Sequence, residues 1–356
     1  MSPPQEFRPA AGAARLAARL ARRPREERAA ARAQLERGEA KRLLVVKPRD
    51  QLGDFLVATP ALAALRTRFP NAHITLVTRE YLAPLARRQP AVDEVVVLPR
   101  GGWALARVVD LVGALGAPRP DAAFVLNSVS RSRTADLVAA TSGAALIVGR
   151  SAVGAGIPGG SAPGRETVYD VDVPVTGVHQ VERLLELVRW TGADAPPRMA
   201  LALRPGEKIL REVNAVGFHP TAANALKCWP LASFIELASR LAGAGARPVV
   251  FDTPKEPGPA QALRDALEQR GIPAEFVPAG PLDRFIPQAA GLALMVCNDS
   301  GVMHVAAALG VPVLSFHSLG RPEEWAPRSE TAIALHAEPI AAITVDDAER
   351  AARRLL

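Results

Sequence analysis

Short apolar runs alternate along this chain with longer stretches whose apolar residues recur every three or four positions. Apolar runs of four to eight residues without alternation fit strands buried on both faces, as in parallel sheets covered by helices. In the first half the predicted strands are RLLVVK (42–47), HITLVT (73–78), EVVVL (94–98), DAAFVL (121–126) and IVG (147–149). One helix is predicted from Gly53-Asp54 to Arg68, closed by Pro70-Asn71, and another over 103–115. HQVERLLELVRWTG (179–192) is a clear amphipathic helix. Residues 151–178, rich in Gly, Pro and Ser, read as a loop with one strand, VYDVDV.

ADAPPR (193–198) reads as a linker, after which the rhythm restarts. AVGFHP (215–220), RPVVFD (247–252), AEFVP (274–278), LALMVCND (292–299) and PVLSF (312–316) are the strands, with helices from Leu231, over 259–270 and over 301–309. The pattern predicts an α/β protein of two Rossmann-like domains, 41–192 and 193–356, behind an N-terminal extension, 1–40. The halves share this pattern but no detectable sequence repeat. In such domains ligands bind outside the carboxyl ends of the strands, and two domains place a cleft between them. Candidate residues are therefore sought where strands end and helices begin.

Composition narrows the function classes. Hydrophobic residues make up 49% of the 356, enough for two cores. No run approaches the roughly 20 apolar residues of a membrane helix, and the N-terminus lacks the apolar core of a signal peptide. Residues 1–42 hold 11 of the 43 basic residues and 5 of the 36 acidic ones, so they carry +6 of the net +7. The body is nearly neutral, which argues against a nucleic-acid partner. Within the extension Leu16 and Leu20 share a helical face that Pro24 ends. It is read either as a solvated helix or as a contact with anionic membrane. Cys228 and Cys297 are far apart and form no CxxC, so a disulfide framework or zinc site is not expected, and a reducing cytoplasm is the simplest compartment.

Four strand ends carry candidate chemistry. After Lys47, a loop leads to Leu52-Gly53-Asp54; Gly53 allows close backbone approach, and Asp54 is either an N-cap or a functional carboxylate. A helix N-terminus stabilises the carboxylate, which works against proton acceptance unless burial offsets it. After AVGFHP come Thr221, then Lys227, Trp229 and Pro230; Lys227 reads as a phosphate contact or a solvated lysine, and Trp229 as a core anchor or a ligand stack. The strand ending at Asp299-Ser300-Gly301 runs into a helix with His304 one turn in, so its first amides form an anion site. Glu256, in FDTPKEP, is the candidate for a ribose diol. No carboxylate and histidine cluster has metal spacing.

Taken together, strand–LGD–ATPALAALRTRFP, then H-P-T…K-x-W-P, then DSGVMHVAAALGVP with Trp325 and Pro327 downstream, resemble glycosyltransferase family 9 across residues 42–330. The loop after Lys47 and the segment from His219 to Lys227 each run one residue longer than the commonest pattern, and the basic extension is unusual. The resemblance implies a GT-B fold, with parallel sheets facing across a cleft. It also implies metal-independent, inverting transfer from an ADP-heptose donor to a glycolipid acceptor, the lipopolysaccharide core, at the cytoplasmic membrane face. No cofactor is implied. By motif, Asp54 is the base; Lys227 and Thr221 face the diphosphate and sugar; Asp299 holds sugar hydroxyls; the Ser300, Gly301 and Val302 amides and His304 take phosphate; Glu256 takes the ribose. Two other readings share the architecture: a sugar-nucleotide epimerase, which needs a second acid/base residue opposite Asp54, and a non-catalytic nucleotide-sugar-binding protein.

Overall fold

The computed structural model describes residues 23–49, 51–98, 118–128, 130–150, 168–207, 213–253, 258–319 and 321–356. The helix expected over 103–115, Glu256 and the first 22 residues lie outside the described residues. The chain divides into two compact units, Met1–Pro197 and Arg198–Leu356, with the division inside the ADAPPR stretch.

Unit 1 contains α1 (Arg25–Arg37), β1 (Arg42–Val46), α2 (Leu52–Leu56), α3 (Thr59–Arg68), β2 (His73–Arg79), α4 (Ala83–Ala86), β3 (Glu94–Leu98), β4 (Ala122–Val125), α5 (Arg133–Thr141), β5 (Leu146–Gly149), β6 (Val171–Asp172) and α6 (Gln180–Arg189). Its strands form one parallel sheet in the order β3-β2-β1-β4-β5-β6. β1 pairs with β2 from Arg42↔His73 to Val46↔Val77 and with β4 from Leu43↔Ala122 to Val46↔Val125. Four consecutive residues of β1, Leu43 to Val46, are buried, as a central strand covered on both faces requires.

Unit 2 contains β7 (Ala215–His219), α7 (Leu231–Gly243), β8 (Arg247–Phe251), α8 (Pro259–Gln269), β9 (Glu275–Val277), α9 (Leu282–Ala290), β10 (Leu294–Asn298), α10 (Gly301–Ala308), β11 (Val313–His317), α11 (Pro322–Trp325), β12 (Ala332–His336) and α12 (Val345–Leu355). The sheet is again parallel, in the order β12-β11-β10-β7-β8-β9. Read from its other edge, this is the winding of unit 1. In both sheets the chain winds outward from the first strand, then returns to its other side. The winding reverses between β1 and β4 and between β7 and β10, and these switch points are where open α/β sheets hold ligands. The unit 2 core gathers Trp229, Phe234 and Phe316, with ring centroids 4.2–5.6 Å apart, under Val216, Phe218 and Leu314.

Three expectations change. The helix expected from Gly53 to Arg68 is two helices, because Pro60 at the start of α3 has no amide to continue the ladder from α2. VYDVDV forms strand only at Val171–Asp172. Part of the stretch read as an extension is a packed helix. Pro24 precedes α1, which buries Ala31 and Leu35; Arg28 pairs with Asp170 at 3.0 Å, and the Arg68 guanidinium donates to Thr191 O at 2.9 Å and also to Glu36 O. No helix among the described residues is long and apolar enough to cross a membrane.

Leu35 is fully buried, so Leu35→Ala is expected to destabilise the protein by about 2–5 kcal/mol through lost burial and a residual cavity. Urea unfolding of the full chain measures this; an unchanged midpoint means that α1 does not pack as described.

Candidate functional site

Each switch point gathers chemistry from two strand ends. In unit 1, β1 leads into Lys47 and β4 leads into Asn127-Ser128. The first turn of α2 brings Asp54 to the same place. Lys47 Nζ lies 3.0 Å from Asp54 Oδ2, with the two side chains 1% and 0% exposed. The contact is an ion pair without the alignment of a hydrogen bond. Lys47 Nζ also donates to Ser128 Oγ at 3.2 Å, and Ser128 Oγ donates in turn to Asp54 Oδ1. Burial pushes the Lys47 ammonium below its ordinary value, while the neighbouring Asp54 carboxylate acts in the opposite direction. Gly53 is buried within α2. Lys47 and Ser128 were not singled out from the sequence. Lys47 reads there as the end of a strand, and Ser128 belongs to a polar loop 74 residues from Asp54.

In unit 2, β7 ends at His219 and β10 ends at Asn298. The Asn298 side chain is fully buried and bridges two loops: Oδ1 accepts from Trp229 N at 2.9 Å, and Nδ2 donates to Pro220 O at 2.8 Å. It therefore ties the Pro220-Thr221 turn and the Lys227-Cys228-Trp229 segment to the start of α10. Asn224 caps the short turn Ala225–Lys227 by accepting from Leu226 N at 2.9 Å, and Ser318 Oγ donates to Leu226 O at 2.7 Å. So anchored, Lys227 reaches Asp299: Nζ to Oδ2 is 2.7 Å, with the side chains 31% and 10% exposed. Lys227 is thus held beside the N-terminus of α10.

Ser300 occupies the N-cap position of α10, yet its hydroxyl makes no capping bond and is shielded from solvent without a partner. A buried hydroxyl left so costs free energy unless something accepts from or donates to it. The Gly301 and Val302 amides have no acceptor within the helix by geometry, while the Met303 amide donates to Ser300 O at 3.2 Å. Hydroxyl, amides and ammonium, brought together from the start of α10 and the Lys227 segment, are groups that could receive an anion. Among the described residues, no group of three His, Cys, Asp or Glu side chains could hold a metal ion.

The remaining candidates sit as follows. Thr221 is buried, with Oγ1 3.4 Å from His219 Nε2. Trp229 is a core residue whose Nε1 donates to Ile343 O at 2.9 Å. His304 is buried edge-on to Trp325, with ring centroids 6.4 Å apart. Both cysteines are free; Cys297 is buried, which pushes its thiol up, and Cys228 is half-buried.

The profile of glycosyltransferase family 9 (heptosyltransferase) matches residues 140–351. The chain is 28% identical over 318 residues to lipopolysaccharide heptosyltransferase 2 of Escherichia coli (strain K12), covering 82% of this chain and 86% of that protein. It is 24% identical over 314 residues to lipooligosaccharide heptosyltransferase 2 of Haemophilus influenzae, covering 82% and 87%. Among solved structures, E. coli ADP-heptose lps heptosyltransferase II matches with a TM-score of 0.71 at 22% identity, over 88% of this chain and 98% of that one. E. coli heptosyltransferase WaaC with ADP matches with a TM-score of 0.73 at 20% identity, over 88% and 100%. These likenesses show a shared fold, the two-unit α/β architecture of GT-B enzymes.

Burial pushes the His219 imidazole from 6.5 down to about 4. The unfolded chain takes up this proton near its ordinary value and the folded chain only near 4, so the associated stability is complete above about pH 6.5 and falls as the pH drops towards 4. His317, also pushed down by burial, acts with the same sign. His219→Gln is expected to flatten the fall in urea midpoint between about pH 7 and about pH 4, leaving the share of His317. An unchanged slope removes His219 from the acid response.

Proposed function

We propose that this chain, which belongs to glycosyltransferase family 9 (heptosyltransferase), is an inverting transferase that moves a heptose from ADP-heptose to a sugar of the lipopolysaccharide core. The observation that carries the reading is the start of α10, with its unpartnered Ser300 hydroxyl and Lys227 held beside it. The relatives' names supply the sugar, the nucleotide and the acceptor class.

In this reading the acceptor hydroxyl oxygen attacks the anomeric carbon from the face opposite the diphosphate. A carbon–oxygen bond forms to the acceptor as the bond to ADP breaks, and the configuration inverts. Asp54 takes the hydroxyl proton late, when that proton has become acidic. Lys227 and the Ser300, Gly301 and Val302 amides neutralise charge on the departing ADP, so no step calls on a divalent cation. Thr221 and His304 complete the phosphate and sugar contacts. Asp299 holds Lys227 and accepts from sugar hydroxyls, and Glu256 accepts from the ribose. Exposed basic residues of the first 40, such as Arg25 and Arg32, meet anionic lipid at the cytoplasmic membrane face.

Asp54→Asn is expected to lower turnover about 10²–10⁴-fold, the range of a general base, with ADP-heptose affinity unchanged. Steady-state transfer with calorimetry tests this, and near-normal turnover removes Asp54 from the mechanism. Lys227→Ala is expected to weaken ADP and ADP-heptose together by about 1.5–3 kcal/mol, the cost of losing a charged hydrogen bond. If ADP affinity does not change, the diphosphate binds elsewhere.

A further inference from the structure

Asp54 has company that the proton-transfer step does not use. Lys47 is among the largest fully buried side chains of the chain, and an ammonium so completely removed from water is costly unless it is paired. Its partner is the one carboxylate assigned to the chemistry. The two Asp54 oxygens are engaged differently: Oδ2 faces the Lys47 ammonium at 3.0 Å, and Oδ1 accepts from Ser128 Oγ. With both oxygens held, the plane of the carboxylate is fixed, and each oxygen keeps a second lone pair.

The surroundings hold the two partners in place. Thr78 Oγ1, on β2, donates to Lys47 O at 3.1 Å. Arg150, just past β5, donates from Nη2 to Ser128 O at 2.8 Å. Asn127, beside Ser128, donates to Tyr169 Oη at 3.2 Å, and Tyr169 Oη donates to Asp136 Oδ1 at 2.6 Å. The turn after β4 is therefore fastened at Asn127 and at Ser128 itself. The charged groups facing Lys47 are Asp54 from α2, Arg49 from its own loop and Arg150 from the end of β5. Asp54 is the single negative charge in that set, so it is the group that offsets the surrounding cations.

We propose that Lys47 and Ser128 are positioning residues for Asp54. The Lys47 ammonium offsets the charge of the buried carboxylate, and the Ser128 hydroxyl sets its plane towards the acceptor hydroxyl. This rests on Asp54 being the base. A clamp that merely holds the loop would need the same contacts but would leave the acid response of catalysis alone. Removing the cation makes the charged carboxylate costlier in a dry site, so the acid limb of activity must move to higher pH.

The test uses the full chain, ADP-heptose and a lipopolysaccharide core acceptor, and measures kcat/KM against pH with thermal unfolding and ADP affinity. In Lys47→Met the acid limb is expected to move up by about one pH unit or more, with ADP affinity unchanged. Ser128→Ala should move it in the same direction by less, and Ser128→Thr should restore it. Ser128→Ala keeps the test open if Lys47→Met does not fold. Folded variants whose acid limb stays in place overturn the proposal, whatever their turnover. Asp54→Asn separates the two ideas. If it loses turnover while the limb ignores Lys47 and Ser128, only the positioning role fails. If it turns over normally, the base itself has been misassigned.

Discussion

A parallel sheet that reverses its winding leaves a gap at the carboxyl ends of its two central strands, where crossovers depart to opposite sides. Both units of this protein are built on that constraint, with the same strand order. The gap between β1 and β4 receives Lys47 and Ser128, and the gap between β7 and β10 receives His219, Thr221 and Asp299. Residues far apart in sequence meet there because neighbouring strands end at the same height in register, as Val46↔Val125 and Cys297↔His219 do. These candidate residues sit at strand ends, so rigid pairing in the sheet sets their geometry.

The two lysine–aspartate pairs differ in what water does to them. Lys47 and Asp54 are sealed, at 1% and 0% exposure, so breaking that pair strands a charge at low dielectric. Lys227 and Asp299, at 31% and 10%, remain in touch with solvent, which can take up either charge if the partners separate. A sealed pair suits a carboxylate whose position must not wander. A wetter pair suits groups that exchange partners when an anion arrives. Asn298 serves the second pair through neutral hydrogen bonds, holding the lysine segment and the α10 turn together without adding a charge.

Much of the architecture was legible. Apolar runs marked most strands within a residue or two, since a strand covered on both faces must be apolar throughout. The candidates Asp54, Thr221, Lys227 and Asp299 were picked out because strand-end loops before helices are the places to look, and the structure sets Asp54 beside Lys47 and Asp299 beside Lys227. Other elements hid. The α2–α3 break turns on Pro60, which lies two turns into the expected helix and starts α3 instead, because it has no amide to continue the ladder. Helix α12 buries only Ala348, Ala351 and Ala352 among charged neighbours, so its apolar face is too slight to stand out. Helix α1 likewise presents just Ala31 and Leu35 within a run that composition paints as a basic tail.

By itself the sequence determined the fold class, the two-unit rhythm and the strand ends that hold the candidate residues, because hydrophobic periodicity and turn residues act over a few positions. Only the tertiary structure decided that Ser128 and Lys47 enclose Asp54, that Asn298 ties two loops to one helix start, and that the Ser300 hydroxyl has no partner. Those facts depend on strand order and on burial, which the local pattern of one chain does not encode. A lysine at a strand end looks alike whether it meets water or a carboxylate, and what lies across the sheet settles which.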